Sequence, residues 1–233
     1  MVVEAQDLLR VGIFTPSEAA FYARVRTGMM NRWIFGDATG DAVVIPQFPG
    51  QDEKVVTFLD FVQVLAIRVL RTLHKVPLPK IREAVDFARS NGIPYPFAVR
   101  HTTYLVSDQK NEGHGNISID VGGKTIQASG DAKRNLLMRP VIELYMKDLY
   151  FDPDTGFASR YTAWDRGKGK IVMDPHRRFG EPVVENCGYT ANTLWEAYEI
   201  EGGIKAAAEA YGVEDTDVEL ACEYYDYLLS NPT

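Results

Sequence analysis

Between residues 55 and 73 apolar side chains recur at positions 55, 58, 59, 62, 65, 66, 69, 70 and 73, the spacing of a helix with one wide buried stripe. Phe61, Val64 and Ile67 carry the apolar surface around the other side, so this helix needs more cover than one small helical domain supplies. Two shorter helices are predicted before it. In Thr15-Pro16-Ser17-Glu18, Thr15 can accept from an exposed backbone N–H, Pro16 is preset for the first turn and Glu18 closes a capping box. Past Arg24-Val25-Arg26, Thr27 is placed to cap a second helix through Met30, Asn31, Trp33 and Ile34 that stops at Gly36. Ala20, Val25, Met30 and Ile34 form the small core expected between the pair. After Val76-Pro77-Leu78-Pro79 a further helix runs from Lys80 to Ser90, with Ile81, Val85 and Ala88 inward and Lys80, Arg82 and Arg89 outward, and ends at Asn91-Gly92.

Ile93-Pro94-Tyr95-Pro96 cannot continue a helix and marks a boundary. The periodicity then shortens. Thr102 to Val106, Ile117 to Val121 and Lys124 to Ala128 read as strands, the last two joined through Gly122-Gly123. A helix from about Asn135 to Leu149, a turn at Asp152-Pro153-Asp154-Thr155-Gly156 and a strand near Ala158 to Trp164 complete a mixed connector suited to dimerisation. Ile171 to Pro175 reads as a strand ended by a turn, and Phe179 to Val184 as a second extended piece. Three short helices close the chain: one capped by Thr190 and running to about Ile200, one from Ile204 to Tyr211, and one from Asp215 to Leu228, punctuated by Gly202-Gly203 and Gly212. Their inward positions are Leu194, Trp195, Tyr198, Ile204, Ala207, Ala208, Tyr211, Val213, Val218, Ala221, Cys222 and Tyr225. The expected class is α+β: a helical helix-turn-helix domain over residues 1–95, a mixed α/β connector over 96–168, and an acidic three-helix domain over 169–233.

Charge changes this picture most. Residues 174–233 hold 13 Asp/Glu against 3 Lys/Arg, a net of −10, whereas residues 1–173 hold 22 Lys/Arg against 19 Asp/Glu, a net of +3. Each phosphate contact gains free energy by releasing condensed counterions, and a dense acidic face forfeits that gain. Any nucleic-acid contact therefore belongs in the front part, where Arg24, Arg26, Thr27, Asn31 and Arg32 face solvent or a groove. Arginine pairs with guanine and asparagine with adenine, while a helix N-terminus holds phosphate. The alternative is a helix pair with no role but packing. Residues 60–105 add 7 Lys/Arg against 3 Asp/Glu, which reads either as a solvated face or as clamping of the DNA backbone. On the last helix the outward acidic set is Glu214, Asp215, Asp217, Glu219, Glu223 and Asp226, a surface that repels phosphate and suits a cationic protein partner.

Other chemistry is thin. At 233 residues, 45% hydrophobic and 24% charged, the chain has the composition of a folded domain. Cys187 and Cys222 have no metal-type spacing and read as reduced thiols. No secretory leader is recognised at the start, and Asp60, Gln63, Arg68 and Arg71 interrupt the longest apolar stretch, so the expectation is a cytoplasmic protein with no membrane partner. Asp152, Asp154 and Gly156 resemble the opening of a calcium loop, but the twelfth position is Ala163 rather than glutamate; a proline-containing turn is favoured. No catalytic constellation, metal set or cofactor motif can be assembled. Tyr104, Tyr145, Tyr150 and Trp164 either enclose a small ligand, as in a ligand-responsive regulator, or belong to the core.

Some of these residues fall in a recognisable order. Asp174-Pro175, Gly180-x-Pro182-Val183-Val184, Gly202 within the three-helix tail, and Tyr211-Gly212-Val213 before the last helix resemble the domain-of-unknown-function family typical of antitoxins paired with PIN-domain ribonuclease toxins. Thr15 to Trp33, Val76 to Ala84, Pro94-Tyr95-Pro96 and Phe157 to Tyr161 extend the likeness upstream, and the whole is similar to VapB-type antitoxins of the mycobacterial kind with an N-terminal MerR-like DNA-binding domain. The resemblance implies neutralisation of a PIN-domain toxin and repression of the pair's own operator DNA; the basic front half with its wide-striped apolar helix suits a homodimer on a palindromic operator. One departure stands out: where the family commonly continues with a Gly-Thr-Arg-type turn, this chain has Glu185-Asn186-Cys187-Gly188-Tyr189, so no contact resting on a basic residue there carries over.

Overall fold

The structure, a computed structural model, describes residues 11–38, 40–50, 53–100, 103–106, 116–121, 124–127, 138–140 and 147–230, with the strands between 103 and 140 described by their backbone. Among these residues it is α+β, with seven α-helices, helical segments towards both ends of the chain and antiparallel sheet between. Among the described residues, those within 15–158 form one compact unit, and residues 11–14 together with 159–230 form another.

In the first unit, helix α1 (Pro16–Tyr22) starts with the capping box the sequence predicts: Thr15 Oγ1 accepts from the Glu18 amide at 3.2 Å while the Glu18 carboxylate accepts from Thr15 N at 2.7 Å. Arg24, at φ 51°, turns the chain into α2 (Thr27–Phe35). Ala20, Val25, Met30 and Ile34 are buried together as expected. Thr27 is the first helical residue rather than the cap; Arg26 holds the N-cap position and no side chain caps the helix. Helix α3 (Phe58–Thr72) begins on a second reciprocal box, Thr57 with Asp60. The wide stripe is buried, but so are Asp60 and Gln63, because α3 runs inside the core rather than along its surface. Leu73, expected inward, follows the last turn and is 61% exposed. Helix α4 (Leu78–Ser90) buries Ile81, Ala84, Val85 and Ala88.

Four strands, β3 (Thr103–Val106), β4 (Asn116–Val121), β5 (Lys124–Gln127) and β6 (Met138–Pro140), form an antiparallel sheet in the order β5-β4-β3-β6; they follow β1 (Ile13–Phe14) and β2 (Val56–Thr57) in the chain. β4 and β5 are register partners from Ser118↔Gln127 to Val121↔Lys124, the hairpin read from the Gly-Gly pair. The helix expected over 135–149 is contradicted at both ends: Met138–Pro140 is a strand and β7 occupies Leu149–Phe151, while residues 141–146 lie outside the described residues. Pairing to β3 decides the first of these, since Met138 stands opposite Val106. The turn at Asp152 is the proline-containing one, its Oδ1 accepting from Asp154 N, Thr155 N and Thr155 Oγ1.

The second unit carries β8 (Ala158–Asp165), β9 (Lys170–Met173) and β10 (Val183–Val184), antiparallel in sequence order, with a bulge at Ala163 between the Thr162 and Trp164 pairings. Phe179 and Gly180 are not extended. Arg178, Phe179 and Gly180 have φ of 47°, 56° and 91°, a left-handed turn, in which an added Cβ on Gly180 would lie 2.9 Å from the Phe14 ring. Helices α5 (Ala191–Glu201), α6 (Ile204–Tyr211) and α7 (Asp215–Leu229) follow, α5 capped by Thr190 and both α5 and α6 ended by left-handed Gly202 and Gly212. Ala197, Ala207, Ala208 and Val218 form their common core and Trp195 stacks on Tyr225 at 4.9 Å, whereas Tyr211 is exposed, at the end of α6, and meets Tyr189 edge-on.

Candidate functional site

Two surfaces hold the residues singled out by charge, one in each unit. On the first, α2 presents Arg26 and Thr27 exposed at its start, with Arg32 on the same helix. The five expected contacts are not equivalent. Arg24 is half-buried in the turn. Arg32 pairs with Asp37 at 3.4 Å across an exposed gap, a contact solvent screens strongly. Both ends of the Asn31 amide are engaged: Nδ2 donates to Thr27 O at 3.1 Å and Oδ1 accepts from Lys54 Nζ at 3.4 Å. Lys54, not singled out from the sequence, also lies 5.1 Å from the Phe35 ring centroid. Neither Arg26 nor Lys54 meets a carboxylate among the described residues.

Several other front-half cations are half-buried and bonded to their own fold. Arg68 donates to Ala23 O at 2.7 Å, where α1 ends; Arg71 donates to Val76 O at 2.8 Å; Arg82 donates to Asp41 O at 2.6 Å and Ala42 O at 3.3 Å. Guanidinium groups held on carbonyls of their own fold have fewer donors, and less freedom of position, to offer a DNA backbone. Lys80 pairs with Glu83. The positive surface is thus narrower than the residue count suggests and runs along α2, from Arg26 at its start to Arg32 and Lys54 towards its end.

The loop bearing Lys54 is tied at both ends to one carboxylate. Asp60 accepts from Gln47 N at 3.1 and 3.3 Å, from Thr57 N at 3.1 Å and from Thr57 Oγ1 at 2.9 Å. Burial pushes the Asp60 carboxyl up to about 6, against the lowering effect of these donors. Tyr95 is raised as well, first by burial and then by the charge of Asp60.

On the second surface the acidic set divides. Glu214, Asp215 and Asp226 are exposed and have no basic partner among the described residues. Glu219 and Glu223 share Lys168, from the β8–β9 turn, at 3.0 and 3.5 Å, and the Glu219 hydrogen bond leads in raising that lysine's pKa. Asp217 does not face outward. It is 5% exposed, accepts from Glu214 N at 3.4 Å and holds the Asn186 amide at 3.1 and 3.2 Å. Its third position in the helix makes it the reciprocal partner of Glu214, a capping signal readable in the sequence. The unusual segment after Val184 is accordingly structural: Glu185 pairs with Arg160, and Asn186 is the residue that Asp217 holds.

The remaining candidates carry no assembled chemistry. Cys222 is pushed up to about 11 by burial and then by Asp226 and Glu199, and Cys187 is raised mainly by burial, so both thiols stay protonated at neutral pH. Trp164 packs against Tyr227 at 4.8 Å with Arg166 over its face and Tyr150 is exposed; the side chains of Tyr104 and Tyr145 lie outside the described residues. Among the described residues no helix is long and apolar enough to cross a membrane.

Comparison with known proteins gives two findings. The chain is 23% identical over 223 residues to a Mycobacterium tuberculosis protein described as "Putative antitoxin VapB45", spanning 87% of this chain and 89% of that protein. The crystal structure of Rv2018 from Mycobacterium tuberculosis shares the fold, with a TM-score of 0.60 at 19% identity, covering 89% of this chain and 95% of the other. No family profile matches the chain. The chain is thus similar, at a distance and along nearly its whole length, to an antitoxin-type protein.

Proposed function

We propose that this protein is a VapB-type antitoxin that neutralises a PIN-domain ribonuclease and, as a homodimer, represses its own promoter through a MerR-like N-terminal domain. The observation that carries the reading is the end-to-end likeness to an antitoxin, 87% of one chain against 89% of the other, rather than a match confined to one end. The surfaces support it. Arg26, at an α2 N-terminus that no side chain caps, and Lys54, against Asn31 and Phe35 further along the same helix, stand without carboxylate partners among the described residues, an arrangement suited to a phosphate backbone. Glu214, Asp215 and Asp226 leave α7 anionic, and Ile200 and Leu229, exposed at the ends of α5 and α7, add apolar anchors. An anionic helix with exposed apolar side chains complements the basic surface that surrounds an RNA-cleaving site.

The test has two arms. The product of the adjacent reading frame is co-expressed and assayed for ribonuclease activity with and without this chain; charge reversal at Glu214, Asp215 and Asp226 is expected to relieve inhibition, and full inhibition by that variant would remove α7 from the interface. For the DNA arm, an electrophoretic shift with upstream DNA is expected to weaken when Arg26→Ala is combined with Arg32→Ala. Unchanged binding by that variant would remove α2 as the reader.

A further inference from the structure

Resting on the DNA-binding reading above, we infer that Lys54 is a phosphate-contacting cation of the N-terminal surface, and that Asn31 positions it instead of reading a base. Bidentate recognition of adenine requires both ends of an asparagine amide, the carbonyl accepting and the NH2 donating. In Asn31 the NH2 already donates to Thr27 O, one turn back on its own helix, and the carbonyl already accepts from Lys54 Nζ. Turning outward would cost both bonds and release the lysine.

Lys54 is well placed for the role that Asn31 gives up. Its ammonium has three donors; Asn31 takes one, at the long distance of 3.4 Å. The side chain is exposed and no carboxylate neutralises it among the described residues. The Phe35 face at 5.1 Å holds the cation near α2 without consuming a donor. The backbone that carries it is anchored too, since Gln47 N and Thr57 N, on either side of Lys54 in the chain, both donate to buried Asp60. An exposed lysine ordinarily samples many rotamers and contributes little directed binding. Here the loop ends, the amide and the ring restrict it, so less entropy is lost when phosphate arrives.

The experiment measures the affinity of the full chain for a duplex of its own upstream sequence between 50 and 200 mM salt, for wild type, Lys54→Ala, Asn31→Ala and the double variant, with a Lys54→Arg control. Each phosphate contact contributes about 0.9 to the slope of log affinity against log salt. Lys54→Ala and Asn31→Ala are each expected to reduce the slope by about one contact, the double variant by one and not two, and Lys54→Arg to retain it. Because an Asn31 that only positions makes no base contact, Asn31→Ala is expected to leave the preference among single-base variants of the duplex unchanged. An unaltered slope for Lys54→Ala overturns the inference, as do independent losses adding to two in the double variant, or a changed base preference in Asn31→Ala. Those results leave DNA binding itself intact, whereas absence of binding by the wild-type chain at 50 mM salt overturns the reading and the inference together.

Discussion

Asp60→Asn isolates the energetics of the buried carboxylate that begins α3. In the folded chain this group titrates near 6, against 3.8 when exposed. Between those values the unfolded chain loses the proton while the folded chain keeps it, so folding becomes less favourable as pH rises through this interval. The penalty is complete above about pH 6.5. At about 1.36 kcal/mol per pKa unit, a rise of roughly two units corresponds to about 3 kcal/mol, present in wild type and missing from the amide. Against it stands a constant cost: the amide places one NH2 among donors from Gln47 N, Thr57 N and Thr57 Oγ1, losing one or two bonds worth about 1–3 kcal/mol each. Asp60→Asn is therefore expected to be clearly less stable than wild type at pH 4.5 and to approach it at pH 7.5. Urea unfolding of both proteins, followed by far-UV circular dichroism in steps across that range, gives the difference directly, and charges elsewhere in the chain cancel. A difference independent of pH would refute the reasoning, and one that widens with pH would mean that the donors around Asp60 outweigh its burial.

Other expectations concern the C-terminal unit. Gly180→Ala is expected to lower the melting temperature, because its Cβ would meet the Phe14 ring at 2.9 Å and φ is 91°; left-handed strain alone is about 1–2 kcal/mol, and at about 2–4 °C per kcal/mol in a chain of this size the loss is visible by calorimetry. Asp217→Ala removes the acceptor for Glu214 N and the Asn186 amide and is expected to cost about 1–2 kcal/mol, with protection of the first α7 amides against hydrogen exchange falling first. Glu219→Gln, by contrast, loses only an exposed pair with Lys168 and is expected to leave the unfolding midpoint unchanged.

Much of the fold is local enough to read along the chain. The Thr15 and Thr190 caps, the Gly202 and Gly212 stops, the hairpin across residues 121–124 and the small core of Ala20, Val25, Met30 and Ile34 follow from neighbours a few residues apart, since caps, turns and helical periodicity act over one or two turns of chain. At two positions register overrides side-chain polarity. Thr27 has the chemistry of a cap, but the chain enters α2 one residue earlier at Arg26; Asp217 has the chemistry of surface charge, but it is the third residue of its helix and turns back on Glu214.

Charge, by itself, specified which half of the molecule suits a polyanion and which suits a cationic partner, because Coulomb attraction and counterion release depend on how many charges a region carries. Which individual charges are available was decided only in three dimensions. Arg68, Arg71 and Arg82 bond carbonyls reached through the fold, and in two of these cases the acceptor lies more than forty residues away. Lys168 masks Glu219 and Glu223 from a hairpin more than fifty residues distant, and Lys54 meets Asn31 across twenty-three. A hydrogen bond forms wherever packing brings donor and acceptor within about 3 Å, and no short-range pattern in the chain encodes that meeting.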